Sequence, residues 1–175
     1  MLLEEELALV VRAKGGDRDA VGSLWDAITP KLYGYLVNHL RDQHLAEDIL
    51  QDTWIKAIGN IAKFQPQGVR FSAWLFAIAR NECRQHWRKK KPEVPLEETE
   101  DVPDVSVSPE TIGDIVFLQQ VIQRLNEDEQ EILRLRYIAD LNFKEIARVL
   151  SISVILARVR VHRALGKARA MVNNH

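Results

Sequence analysis

The stretch Phe71 to Lys91, FSAWLFAIARNECRQHWRKKK, brings an apolar stripe, aromatic rings and a dense positive face onto one segment. At about 100° per residue, Phe71, Trp74, Leu75 and Ile78 fall within one arc of a helix surface, the spacing of a face held against a core. Arg80, Arg84, Arg88 and Lys91 recur along a second arc, and like charges so close repel unless something anionic answers them. Phe76 and Trp87 are placed at the margin of that arc, about three turns apart, where a ring can stack on an unpaired base. The segment therefore reads as an amphipathic helix suited to single-stranded or melted DNA. Taken alone, a charge run of this kind is more often a solvated basic face, here one on which Trp87 covers the stems of neighbouring Arg and Lys residues.

Charge along the rest of the chain is divided unevenly. Fourteen Lys and Arg against eleven Asp and Glu give residues 1–92 a charge of +3, none against seven gives residues 93–111 a charge of −7, and ten against seven gives residues 112–175 +3. The overall charge of −1 thus hides two positive lobes joined by a negative strap, and 175 residues suffice for two small domains. Residues 92–110, PEVPLEETEDVPDVSVSPE, hold four prolines and no steady apolar period, the composition of a flexible linker. The strap is expected to fold over one of the basic surfaces in the free protein. The N-terminus MLLEEELALVV lacks a positive leader, and no apolar run approaches the roughly 18 residues that span a bilayer. A cytoplasmic protein without membrane insertion is expected. The single cysteine, Cys83, excludes an internal disulfide, and no Cys/His cluster has zinc spacing. Cys83 lies between Arg80 and Arg84, a setting for a lowered thiol pKa, although an ordinary small helix residue is the better reading.

The helical period covers both lobes. Residues 3–14 form a short helix that Gly15-Gly16 ends, with Asp17 capping the next. Leu24, Trp25, Ile28, Leu32, Tyr35, Leu36 and Leu40 keep helical spacing, and Pro30 is expected to kink or restart that helix. Asp42 opens a third segment in which Leu45, Ile49, Trp54, Ile55 and Ile58 are expected to face the core, while Glu47, Asp48, Gln51 and Asp52 form an acidic patch opposite. Lys63 to Arg70, with Pro66 and Gly68, reads as a loop placed to receive a base. Beyond the strap, Ile115, Leu118, Val121, Ile122 and Leu125 resume the period from Thr111. Asn126 and Asn142 each precede a Glu by three residues in capping-box form. The first such box starts a helix with Ile132, Leu133, Leu135 and Tyr137; the second starts a short helix buried through Ile146, Ala147, Val149 and Leu150. Ser151-Ile152-Ser153 turns the chain into a basic helix from Val154 to about Met171. Short helix, three-residue turn and basic helix make a helix-turn-helix, whose second helix enters the major groove. A plain three-helix bundle with a basic surface is the alternative.

Taken together, AEDILQDTW at 46–54, FSAWLFAIARN at 71–81 and the span from LNEDEQEILRLRYIADLNFKEIARVLSIS to RVHRAL at 125–165 closely resemble the extracytoplasmic-function (ECF) sigma factors of the sigma-70 family. The resemblance implies an all-α fold of two small helical domains, sigma-2 over 1–92 and sigma-4 over 112–175, joined by a flexible acidic linker over 93–111. It implies no enzymatic activity and no cofactor. The implied partners are core RNA polymerase, through the clamp helices of its largest subunit and its beta flap, promoter DNA and an anti-sigma factor, with the free protein a monomer. Carried over by position, Glu47, Asp48, Gln51 and Asp52 would bind core. Lys63, Phe64, Arg70, Phe76, Arg80, Asn81, Arg84, Trp87 and Arg88 would melt and hold the minus-10 element. Lys144, Arg148, Ser153, Arg158, Arg160, Arg163 and Lys167 would engage the minus-35 element.

One departure stands out. Where the family usually opens its recognition helix with a Gly-Thr-Val-Lys/Arg-Ser-Arg run, this chain has Ile155-Leu156-Ala157-Arg158-Val159-Arg160. Hydroxyl donors have become bulky apolar groups that are costly to set against a phosphate backbone. Either the minus-35 contact is unusual and weak, or this surface meets a protein such as an anti-sigma factor. Two other function classes follow: a sigma-like decoy that binds an anti-sigma factor without directing transcription, and a conventional dimeric regulator, which leaves residues 1–92 unexplained.

Overall fold

The computed structural model describes residues 2–90 and 122–173. The linker reading, the resumed period at Ile115, Leu118 and Val121, the place of Lys91 and the folding of the strap over a basic surface lie outside the described residues. Among those described, the chain is all-α, with no strand.

Helix α1 (Leu3–Lys14) ends at Gly15-Gly16, where Gly16 takes a φ of 88° that only glycine adopts without strain. Asp17 then caps α2 (Arg18–Leu40), its carboxylate accepting from the Asp19 and Ala20 backbone N–H groups at 3.0 and 3.1 Å. Pro30 neither stops nor restarts α2, which runs through it without a break. The imide removes one backbone donor, and Ile28 and Leu32 on either side, both buried, pin the helix to the core across that gap. Asp42 caps α3 (Gln43–Gly59) through the Leu45 N–H, and a short turn at Ile61–Lys63 leads through the loop to α4 (Phe71–Lys90).

The core of this first lobe is strongly aromatic. Phe64, Phe71 and Trp74 meet with ring centroids 5.3 and 5.4 Å apart, and Phe76 stands edge-on to Tyr35 at 5.4 Å, the geometries that ring quadrupoles favour. Lys56 of α3 and the buried Glu82 of α4 form an ion pair that fixes the two helices side by side.

The buried face of α3 is rotated from the expectation. Ala46, Ile49, Leu50, Thr53, Trp54 and Ala57 face inward, whereas Ile55 and Ile58 are 69% and 41% exposed. At about 100° per residue Ile55 falls between Gln51 and Asp48, in the middle of the acidic face. Trp54, buried against Trp25 and Phe71 with ring centroids 5.0 and 6.4 Å apart, fixes which face turns inward and leaves Ile55 and Ile58 on the outer side.

In the second lobe Asn126 caps α5 (Glu127–Leu133) and Asn142 caps α6 (Phe143–Leu150), each with the reciprocal Glu contact of a capping box. Between them the backbone loosens into one π turn, Arg134–Ile138, closed by an Ala139 N–H to Arg134 carbonyl bond. Ser151 turns the chain with a left-handed φ of 55°, and the Ser153 hydroxyl accepts from the Leu156 N–H to start α7 (Val154–Asn173).

Ile49→Ala should lower stability by about 2 to 4 kcal/mol, measured by urea denaturation, whereas Ile55→Ala should change it by less than about 0.5 kcal/mol.

Candidate polymerase and nucleic-acid interface

Three surfaces carry the candidate residues. On α3, Glu47, Asp48, Gln51 and Asp52 are all exposed on one face, and Ile55 and Ile58 lie among them. The sequence reading placed those isoleucines in the core and so missed them here. The result is an acidic surface with an apolar centre, the composition of a protein-docking patch in which charge steers and buried area holds.

The second surface is α4 with the loop before it. Asn81, Arg84 and Arg88 point to solvent, and Trp87 is 37% exposed with its edge against His86. Lys63 is exposed and donates to the Asn60 side chain at 2.9 Å. Phe64 and Phe76 are corrections: both are buried, at 3% and 1% exposure. Phe76 therefore does not reach the margin of the basic arc, because the buried face of α4 is broad enough to include Phe71, Ala73, Leu75, Phe76, Ala79 and Cys83. Burial also pushes the Cys83 thiol up to about 12, opposite to the reactive alternative.

Arg70 and Arg80, the other two cations of this surface, are answered from within the chain. Arg70 grips Glu145 of α6 with two nitrogens at 2.7 Å and donates to the Asp140 carbonyl at 2.9 Å. Glu145 is only 1% exposed. Burial alone would raise its pKa, but the Arg70 bonds and the Asn142 N–H outweigh it and hold the carboxyl below its ordinary value. Arg80 lies 3.3 Å from Glu131 of α5.

Glu131 is the centre of a larger cluster. It accepts from the Tyr35 hydroxyl at 2.7 Å, and Arg134, 5% exposed, packs beside it while donating to Asn38, Glu127 and Gln130 at 3.0, 3.0 and 2.7 Å. Arg134 also donates to Nδ1 of His39 at 3.0 Å. An Nδ1 that accepts is unprotonated, and burial pushes the His39 pKa down against the pull of Glu131. The 3.5 Å approach of His39 to Glu131 is therefore no ion pair at neutral pH. With Lys31 on Asp140 at 2.8 Å, these contacts clamp the second lobe onto α2 and α4. None of Tyr35, Asn38, His39, Glu131, Arg134 or Glu145 was legible as an interlobe residue, since each fits a helix pattern or cap equally well.

The third surface is the helix-turn-helix. Arg160 and Arg163 of α7 are exposed; Arg158 is exposed and leans its guanidinium over the Phe143 ring at 5.5 Å. Lys167 is engaged by Glu129, and Ser153 serves as a cap. Lys144 and Arg148 are exposed on α6, where they line a cleft of about 460 Å³ with Gln67 and Val69 of the loop before α4. Gly68 closes that loop with a φ of 73°, and a Cβ there would collide with the Lys144 ammonium. The structure thus brings the loop of one lobe against the first helix of the other lobe's helix-turn-helix.

The chain matches the family described as Sigma-70 region 2 over residues 24–93 and that described as Sigma-70, region 4 over residues 118–167. It is 31% identical over 168 residues to the ECF RNA polymerase sigma factor SigW of Bacillus subtilis, covering 88% of this chain and 89% of SigW. It belongs to the ECF sigma factors of the sigma-70 family. The ECF RNA polymerase sigma factor BldN of Streptomyces coelicolor is 34% identical over 151 residues, which cover 82% of this chain and 57% of the longer BldN. In fold this sigma factor is similar to the sigma factor RpoE of Bartonella quintana, solved in complex with the anti-sigma factor NepR. The TM-score is 0.71 at 23% identity, over 87% of this chain and 96% of that one. A sigma factor is a transcription-initiation subunit and not an enzyme. Among the described residues no helix is long and apolar enough to cross a membrane.

Glu145→Gln keeps the cap of α6 but removes the charge facing Arg70, and should weaken the lobe contact by about 2 kcal/mol. Small-angle X-ray scattering should then show a larger radius of gyration for the variant, and an unchanged radius would mean that apolar packing alone holds the lobes. The clamp should also be sensitive to acid. His39, facing Tyr35, Arg80, Glu127, Glu131 and Arg134, has a pKa lowered chiefly by its burial, against the opposing pull of Glu131. Its contribution to closure is therefore complete above about 6.5, the ordinary histidine value, and is lost as pH falls through the lowered one. Scattering between about pH 7.5 and pH 5.5 should show the lobes parting, and a His39→Gln variant should flatten that dependence.

Proposed function

We propose that this sigma factor binds core RNA polymerase and directs it to a specific set of promoters from the cytoplasm, held in check by an anti-sigma factor. On this reading residues 1–92 are the sigma-2 domain, 93–111 the acidic linker and 112–175 the sigma-4 domain. The observation that carries it is the α3 surface, where four exposed polar and acidic side chains surround two exposed isoleucines. A folded protein leaves such a centre uncovered for a partner, and in the family the partner of this helix is the clamp of the largest polymerase subunit. Sigma-4 takes the beta flap.

Lys63, Asn81, Arg84, Trp87 and Arg88 then hold the separated minus-10 strand, with phosphate contacts supplying most of the affinity and the loop before α4 receiving a base. Arg70 and Arg80 join them once core binding draws the lobes apart, because in the free chain both are engaged by Glu145 and Glu131. Phe64 and Phe76 contribute as the rigid floor beneath that loop and helix. Lys144, Arg148, Arg158, Arg160 and Arg163 engage the minus-35 element, with Ser153 shaping the start of α7 and Lys167 available once freed from Glu129. The anti-sigma factor is drawn from the complex in which the similar RpoE was solved, and it would act by reinforcing the closed lobes. A decoy that binds only an anti-sigma factor has no use for the exposed α3 face.

Run-off transcription with bacterial core polymerase on a library of genomic promoter fragments should give discrete start sites with this protein, and none with the Asp48→Arg, Asp52→Arg variant. Core binding without any start site would reject promoter recognition, and absence of core binding would reject the α3 assignment.

A further inference from the structure

Helix α7 buries Ala157, Val161 and Ala164, so at about 100° per residue the line farthest from the core passes through Ile155, Val159, His162 and Gly166. Ile155 is 78% exposed and Val159 36%. Flanking this crest are Arg158 and, farther along, Arg169 on one side, and Arg160 and Arg163 on the other, with Lys167 beside them held by Glu129. No carboxylate occurs anywhere in α7. The tip of the helix is thus an apolar ridge between two cationic shoulders.

Two kinds of macromolecule fit a ridge of that sort, and its length separates them. A partner helix needs knobs along the whole seam, but here the crest is apolar for less than two turns and then passes into His162 and Gly166, the second offering no side chain. A helix entering a major groove needs its base-reading groups only in the first turns, with cations on both flanks to meet the two phosphate walls. In that groove the one apolar feature of the base edges is the C5-methyl of thymine.

We propose that Ile155 and Val159 read the upstream promoter element through thymine methyl groups, so that specificity there comes from buried methyl contact where polar side chains would use hydrogen bonds. The proposal rests on the reading of α7 as the minus-35 helix and assigns its chemistry. Arg158, braced on Phe143, and Arg160 and Arg163 set the depth of insertion through phosphates. The selected upstream element is then thymine-containing at the positions beneath Ile155 and Val159, and the apolar opening of the helix is its means of discrimination.

The test uses holoenzyme assembled from the full chain and bacterial core polymerase. Duplexes enriched from a library randomised across the upstream element are remade with deoxyuridine for thymidine, one position at a time, which removes only the methyl. At one or two positions affinity should fall about fourfold, the worth of burying one methyl-sized group, and the Ile155→Ala, Val159→Ala variant should no longer distinguish the two bases. Both residues are exposed, so the fold should survive, and Ile155→Val should retain most of the discrimination. An enriched upstream element that tolerates deoxyuridine everywhere would overturn the proposal while leaving the minus-35 reading intact. A deoxyuridine penalty undiminished in the double variant would overturn it in favour of DNA shape. Failure to enrich any upstream element would overturn both. If the double variant keeps the deoxyuridine pattern yet loses binding to a designed acidic amphipathic helix with leucine at its a and d positions, the ridge belongs to a protein partner and the proposal also fails.

Discussion

Two buried carboxylates, Glu131 and Glu145, lie where the lobes meet, and neither can remain there unpaired. Transfer of an isolated carboxylate from water costs far more than the net stability of a small domain. Each must therefore be matched by cations and donors; the second lobe supplies Arg134 beside Glu131 and the Asn142 N–H on Glu145, and the first lobe completes the match with Arg80, Tyr35 and Arg70. The arrangement of the closed molecule follows from that constraint. Once Arg70 forks onto Glu145 and the Asp140 carbonyl, the register of α6 against the start of α4 is set. The Tyr35 to Glu131 bond and the Asn38 to Arg134 bond then fix the rotation of α5 against α2.

The same pairing links fold to function. A basic surface meant for nucleic acid is a liability in a free protein, because its charges repel one another and attract any polyanion. Here part of that surface is neutralised by carboxylates of the second lobe, while Asn81, Arg84 and Arg88 remain in solvent. Buried ion pairs contribute little net stability compared with apolar packing, which makes them suited to a contact that has to be exchanged. On the proposed reading, promoter phosphates, which carry the same charge, would take the place of these carboxylates at Arg70 and Arg80.

Much of the architecture was legible in the chain. Asp17, Asp42, Asn126 and Asn142 announced their helices because a capping side chain acts over three residues, within the reach of sequence inspection. The acidic and basic faces were legible for the same reason, since helical periodicity is local. The failures have a common cause. Ile55 and Ile58 were assigned inward by hydrophobicity, but which of two candidate faces α3 buries depends on the shape of the helices it meets. Phe76 was assigned to the DNA side because a ring beside arginines suits a base, yet Tyr35 offers it an edge-on partner inside the lobe. A restart at Pro30 does not occur, because the packing of the buried Ile28 and Leu32 outweighs the one lost bond.

By itself the sequence determined the helices, their caps, the division of charge between two lobes and a strap, and the motifs that place the chain among the ECF sigma factors. Those are properties of neighbours within a few residues or of ordered motifs, and they survive without knowledge of the fold. Only the tertiary structure decided which cations of the basic α4 surface are exposed and which are held. Arg70 and Glu145 are 75 residues apart, and Tyr35 and Glu131 are 96 apart. Nothing in a local pattern distinguishes a carboxylate that caps a helix from one that caps it and also grips an arginine of another lobe. That distinction arises from burial, which strips water from the charge and obliges it to find its partner across the interface.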